Sequence, residues 1–151
     1  MTYIIAEIGS NYKNKNDAFN SVKVAKECGA DAVKFQMFTP EEMYGSVHFS
    51  DQSGIPRNWV AGLKCLADDV AIDFMCTGFS PEGVRFLDQY VSSHKIASSD
   101  SCYAQLIDAA KISGKRVFIS TGGSSLGEIE RMVNYFGDGN LVLMYCNSEY
   151  P

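Results

Sequence analysis

The sequence predicts an α/β chain of the (β/α)8 barrel class, with about six of the eight strands present. Short β-rich runs alternate with stretches of helical spacing, the pattern of βαβ units and a parallel sheet. Most repeats lie about 22–28 residues apart, which suits a barrel better than a doubly wound sheet with elaborate loops. A complete barrel takes about 250 residues. The 151 residues here stop at Tyr150-Pro151, directly after the sixth run. The expectation is therefore the N-terminal part of one barrel domain, rather than a chain completed by a different polypeptide.

The elements follow in order. Strands are expected at Tyr3–Ile8, Ala32–Gln36, Ala71–Cys76, His94–Ala97, Arg116–Ser120 and Leu141–Cys146. The first helix carries Ala18, Val22 and Ala25 on one face and stops at Gly29, a good C-terminal cap. The second runs from about Pro56 to Asp69, and the third opens with an Ser80 N-cap and Pro81 at its first position. The fourth covers about Cys102–Ser113 and ends at Gly114. The fifth opens on Ser125 and Glu128, at capping-box spacing, and should turn Ile129, Met132 and Val133 inward. The stretch Phe38–Pro56, rich in Ser, Gly, Asp and Pro, reads as an extended loop.

Bulk properties narrow the function. A hydrophobic fraction of 46% and a charged fraction of 21% are ordinary for a globular protein. The net charge of −5, without clustered Lys and Arg, argues against nucleic acid as a partner. No apolar run approaches the roughly 20 residues of a membrane span. The N-terminus lacks a basic region and meets an acid at Glu7, so neither membrane nor secretion is expected. Five cysteines without a CxxC pair read as thiols in a reducing cytoplasm.

In βα folds the chemistry gathers at the carboxyl ends of the strands. Those ends read Ala-Glu7-Ile-Gly-Ser-Asn11, Val-Lys34-Phe-Gln36, Cys-Thr77-Gly-Phe-Ser80, Lys95-Ile-Ala-Ser98-Ser-Asp100, Ser120-Thr-Gly-Gly and Asn147-Ser148-Glu-Tyr150. Lys34 and Gln36, two apart, face the same way. A buried ammonium is costly unless an anion meets it, and Ser, Thr and glycine-loop N–H groups commonly accompany a phosphate. An acidic chain that concentrates Lys34, Lys95, Ser98 and Ser120 at one mouth points to a site for a small phosphate or carboxylate. Taken singly, each has a plainer reading: strand-end lysines can snorkel to solvent, and Ser-Thr-Gly-Gly can be only a turn.

The same motifs, in this order along the whole chain, resemble the N-acetylneuraminate synthase family, including legionaminate and pseudaminate synthases and related spore-coat polysaccharide enzymes. They are Ile-Ile-Ala-Glu7-Ile-Gly-x-Asn11, Gly29-Ala-Asp-Ala-Val-Lys34-Phe-Gln36, Phe74-Met-Cys-Thr77-x-Phe-Ser, Lys95-Ile-Ala-Ser98-x-Asp100, Ser120-Thr-Gly-Gly and Ser148-Glu-Tyr150-Pro. The resemblance implies that Lys34, Thr77, Lys95, Ser98 and Ser120 hold phosphoenolpyruvate, with Gln36 beside them. It implies that Ser148 and Tyr150 belong to the substrate site and that Glu7 handles the sugar's aldehyde and hydroxyl groups. Glu7 paired structurally with Lys34 is the plainer alternative. Tyr12 stands where the family usually has His, Gly78 where it has Pro, and Ser148 where some members have Asn.

By the same resemblance, phosphoenolpyruvate attacks the aldehyde of an N-acetylhexosamine, polarised by a divalent metal (Mn or Mg), to give a nine-carbon 2-keto acid and phosphate. The family's metal-binding histidines lie on strands beyond this chain, and neither His48 nor His94 matches them. The resemblance further implies a homodimer of the full-length enzyme, a small antifreeze-like domain after the barrel, and no turnover by these 151 residues alone. Three other readings remain open: another phosphoenolpyruvate-dependent 3-deoxy-keto-acid synthase making a seven- or eight-carbon product, an inactive fragment or regulatory relic of such an enzyme, and a different phosphate-binding barrel with aldolase or isomerase chemistry through a Schiff base at Lys95, should its amine lose its charge.

Overall fold

The computed structural model describes residues 2–45, 54–137 and 139–148. Strands and helices alternate: β1 (Ile5–Gly9), α1 (Lys15–Glu27), β2 (Ala32–Met37), α2 (Pro40–Tyr44), α3 (Arg57–Asp69), β3 (Asp73–Gly78), α4 (Pro81–Leu87), β4 (Ser93–Ile96), α5 (Ala104–Ile112), β5 (Arg116–Ser120), α6 (Leu126–Phe136) and β6 (Leu141–Met144). A 3-10 turn, Ser98–Asp100, follows β4. Every strand pair is parallel, in two three-stranded sheets ordered β1-β2-β3 and β4-β5-β6.

Local chemistry explains most boundaries. Asn14 caps α1 by accepting from the Asp17 N–H at 3.1 Å, and Ser80 caps α4 by accepting from the Gly83 N–H at 3.0 Å. A capping box opens α6: the Glu128 N–H donates to Ser125 Oγ at 3.4 Å, and the Ser125 N–H donates to Glu128 Oε2 at 2.7 Å. The third strand begins at Asp73, two residues later than expected. Ala71 adopts a left-handed φ of 55° and turns the chain there, so extended backbone cannot start before it.

Two expectations need correction. The stretch after β2 is not loop throughout, because α2 occupies Pro40–Tyr44. Thr39 and Glu42 form a second capping box, at 3.2 and 2.9 Å, and Pro40 fits the first helical position. Where the chain returns, the Ile55 N–H donates to the Gln36 carbonyl at 2.7 Å. A Cβ on Gly54 would lie 2.5 Å from that same carbonyl, so this close approach needs glycine. Val133 does not turn inward. It is 42% exposed while Met132, one residue earlier, is buried.

Side-chain alternation divides each strand between two environments. Val33, Phe35, Phe74 and Cys76 pack outward against Val22 of α1, Leu63 of α3 and Leu87 of α4. Ile96, Val117 and Ile119 do the same against Leu106, Ala110 and Met132. Burying each such large side chain contributes about 1.5–3 kcal/mol. The opposite faces carry Glu7, Lys34, Gln36, Thr77, Lys95 and Ser120, so the outer cores hold the strands whose inner faces build the site.

Candidate anion site

Register brings the polar groups together. Glu7 is the cross-strand partner of Lys34, and Gln36 is that of Thr77. Glu7 and Lys34 form an ion pair, with the lysine side chain buried and the carboxylate 45% exposed toward the mouth. Lys34 Nζ also donates to Thr77 Oγ1 at 3.4 Å. The plainer reading of Glu7, a partner for Lys34, thus describes its contact in this structure. Gln36 accepts from Ser10 Oγ at 3.3 Å through its amide oxygen.

The second sheet supplies a different lysine. Lys95 is 8% exposed, and its Nζ donates to the Ile96 carbonyl at 2.6 Å. Among the described residues it forms no ion pair. Burial lowers its pKa to about 8, and the Lys34 charge pushes it the same way, against weaker opposing effects of Cys146, Glu7 and Asp100. Burial also raises the carboxyl pKa of Asp100, opposed by a hydrogen bond from Ser99 and by the charge of Lys95.

Ser98 is placed by the next loop. Its Oγ accepts from the Gly122 N–H at 3.2 Å, and its carbonyl accepts from Ser101 Oγ at 2.8 Å. Ser101 Oγ in turn meets Ser124 Oγ at 3.2 Å, so the loops after β4 and β5 are joined. A Cβ on Gly122 would sit 3.0 Å from Ser98 Oγ and 3.1 Å from the Cys146 carbonyl, and would collide with Ser148 Oγ.

These side chains enclose a cavity of about 300 Å3 lined by Glu7, Lys34, Gln36, Thr77, Lys95, Ser98 and Ser120. Ile5, Phe79, Ala97, Met144 and Cys146 complete its wall. A space of about 630 Å3 at the opposite, N-terminal ends of the strands is lined by Tyr3, Asp73, Arg116 and Asn140, among others. Ser148 lies outside the cavity wall, exposed and in a left-handed conformation, with its hydroxyl against Gly122. Tyr150 and His48 lie outside the described residues.

His94 faces away from the cavity. Its ring is buried beside Asp88, at 3.1 Å, and Lys115 reaches the same carboxylate at 2.9 Å. Burial holds the imidazole pKa below its ordinary value, although Asp88 opposes this. Burial would raise the Asp88 carboxyl, but the bonds from Lys115 and His94 keep it below the usual range. Among the described residues, no three of His, Cys, Asp and Glu cluster so as to hold a metal ion. They do not fit the divalent metal that the resemblance implies.

Glu7 is already paired with Lys34, so Lys95 is the cavity's ammonium without a carboxylate partner among the described residues, and hydroxyls of Thr77, Ser98 and Ser120 line the same space. This arrangement suits a small anion bearing phosphate or carboxylate oxygens. Sequence reasoning missed Gly122 and Ser101. The Thr-Gly-Gly turn was readable, but not that its amide serves Ser98 on another strand. It also missed Met144 and Cys146, which alternation along the expected strand Leu141–Cys146 could have found.

A profile of the NeuB family matches residues 21–151. The chain is 34% identical to the uncharacterized protein MJ1065 of Methanocaldococcus jannaschii, over 99% of this chain and 47% of that protein. Spore coat polysaccharide biosynthesis protein SpsE of Bacillus subtilis is 30% identical over 99% of this chain and 45% of its own length. N,N'-diacetyllegionaminic acid synthase of Legionella pneumophila is 30% identical over 99% and 49%. Among solved structures, N-acetylneuraminic acid synthetase of Leptospira borgpetersenii in complex with citrate superposes with a TM-score of 0.92 at 32% identity, covering 99% of this chain and 55% of that one. The chain spans about half the length of the curated relatives it matches. No helix among the described residues is long and apolar enough to cross a membrane.

Proposed function

Since the chain belongs to the NeuB family, we propose that its cavity binds phosphoenolpyruvate for condensation with the aldehyde of an N-acetylated amino sugar. The products are a sialic-acid-like nine-carbon 2-keto acid and phosphate. The observation that carries this reading is the convergence of Lys34, Lys95, Thr77, Ser98 and Ser120 on one cavity of about 300 Å3. Cationic and hydroxyl groups on the phosphate and carboxylate orient the enol and offset its charge. Carbon C3 then attacks the aldehyde carbon, whose oxygen takes up a proton. Water adds at C2, and the C2–O bond to phosphate breaks.

Glu7 sits at the mouth with a half-exposed carboxylate, placed to hydrogen-bond a sugar hydroxyl or to move a proton. Ser148 and Tyr150 are proposed on the sugar side by resemblance alone.

In this reading residues 1–151 are strands 1 to 6 of a (β/α)8 barrel, with the last strands and the antifreeze-like domain outside this chain. The coverage of about half of each relative supports it. The full-length enzyme is then a cytoplasmic, metal-dependent homodimer, and these residues alone bind phosphoenolpyruvate without turnover. Another phosphoenolpyruvate-dependent 3-deoxy-keto-acid synthase is the second reading. A 3-deoxy-D-arabino-heptulosonate 7-phosphate synthase of Thermotoga maritima shares the fold, with a TM-score of 0.69 at 12% identity.

The test is phosphate release by the full-length enzyme, supplied with phosphoenolpyruvate, manganese and a panel of aldehydes. Turnover with N-acetylmannosamine or another N-acetylated amino sugar is expected. Turnover only with four- or five-carbon sugar phosphates would replace the first reading by the second.

A further inference from the structure

We propose that Lys95 is a site of reversible imine formation with small 2-oxo carboxylates. This rests on the reading of the cavity as an anion site and adds a covalent chemistry to it. The two lysines of the cavity differ in kind. Lys34 is committed to Glu7 and to the Thr77 hydroxyl. Lys95 projects into the same space with a neutral carbonyl as its hydrogen-bond partner and no ion pair among the described residues.

Desolvation and a neighbouring cation are the two conditions that turn a lysine into a nucleophilic amine, and both hold here. The groups facing it are Glu7 from β1, Lys34 from β2, Asp100 from the turn after β4 and Cys146 after β6. Their balance, with burial, leaves the amine with a pKa of about 8. About a tenth of it is then neutral at pH 7, against roughly 1 in 3000 for an ordinary lysine.

The cavity supplies the rest of the chemistry. A 2-oxo carboxylate can set its carboxylate against the hydroxyls of Ser98 and Ser120, which line the same cavity, presenting its C2 carbonyl to Nζ. The neutral amine adds to C2 and the C–N bond forms. The carbonyl oxygen leaves as water, carrying one proton shed by the nitrogen and one taken from solvent. The protonated imine retains one N–H and keeps a positive charge beside the carboxylate. Hydride from borohydride, added to C2, converts it to a stable secondary amine.

The experiment treats the full chain with pyruvate and borohydride near pH 7.5 and maps adducts by peptide mass spectrometry. In parallel, inorganic phosphate binding is measured by calorimetry. The expected result is an adduct on Lys95 at least tenfold above any other lysine, suppressed by phosphate and absent from a folded Lys95→Arg protein. The map on unaltered protein stands by itself if that variant does not fold. Adducts spread evenly over exposed lysines, placed on Lys34 or absent would overturn the proposal. If phosphate still binds, the anion site survives that failure. A Lys95 adduct with neither phosphate binding nor protection would uphold the amine chemistry and remove the anion reading.

Discussion

The affinity of the cavity for phosphoenolpyruvate should fall as pH rises through 8, while the stability of the unliganded protein rises. Lys95 has a pKa of about 8 in the folded protein against an ordinary 10.5. Between those values the unfolded chain holds more protons than the folded one, so unfolding free energy increases with pH. Below pH 8 both states are protonated and the destabilisation from a buried ammonium is fully present. The interval corresponds to about 3 kcal/mol. An anion reverses the sign, because it favours charged Lys95 and draws its pKa back up. Affinity should then be flat near pH 7 and weaken about tenfold per pH unit above 8, to a limit of roughly 300-fold. Calorimetric titration of the full chain from pH 7 to 10 reads this directly, since the phosphate group is already a dianion over that range. Buffers of differing ionisation enthalpy should show uptake of about half a proton per ligand near pH 8. Replacing Lys95 by Met should abolish both the slope and the uptake. An affinity constant from pH 7 to 9.5, or net proton release, would refute the assignment of an unpaired amine to this cavity.

Three substitutions extend the reasoning. Lys95→Ala in the full-length enzyme should weaken phosphoenolpyruvate binding by about 2–5 kcal/mol, the range for removing one partner of a buried charge contact, as read by calorimetry. Gly122→Ala should lose affinity by about 1–3 kcal/mol, because the new methyl collides with Ser148 Oγ and crowds Ser98 Oγ and the Cys146 carbonyl; a retained thermal melt would separate this from unfolding. Leu63→Ala, at a fully buried position, should cost about 2–5 kcal/mol of stability in denaturant titration and leave the polar lining of the cavity in place.

Lys34 and Gln36 were legible because two residues along a strand return to the same face, and because a lysine within an apolar run needs an anion. The strand-helix alternation was legible for the same periodic reason, and Ser80-Pro81 and Ser125 with Glu128 marked helix starts from a few residues. Thr39-Pro40 with Glu42 carries the same signature, yet the Ser, Gly and Asp residues after it suggested loop, so α2 was missed. Val133 shows what periodicity omits: it assigns a face of a helix, not what covers that face. The low proton affinity of Lys95 was also illegible, because it depends on how deeply the fold buries the amine and on Lys34 arriving from another strand. The amide of Gly122 reaches Ser98 across 24 positions of sequence, which only the meeting of two loops reveals.

The two three-stranded sheets divide the cavity between them. Among the described residues no backbone ladder joins β3 to β4, and each sheet has its own outer core. Behind the division, α4 straddles it: Leu87 belongs to one core and Val84 to the other, while Asp88 is latched by His94 and Lys115. In front, Lys34 and Thr77 come from one half, and Lys95, Ser98 and Ser120 from the other. An anion held by both sets would bridge the two sheets where no ladder joins them. Such a ligand slows separation of the halves rather than fraying within either one. Amide exchange along β3 and β4 should accordingly respond to bound phosphate more than exchange in β2 or β5, making the seam itself a reporter of occupancy.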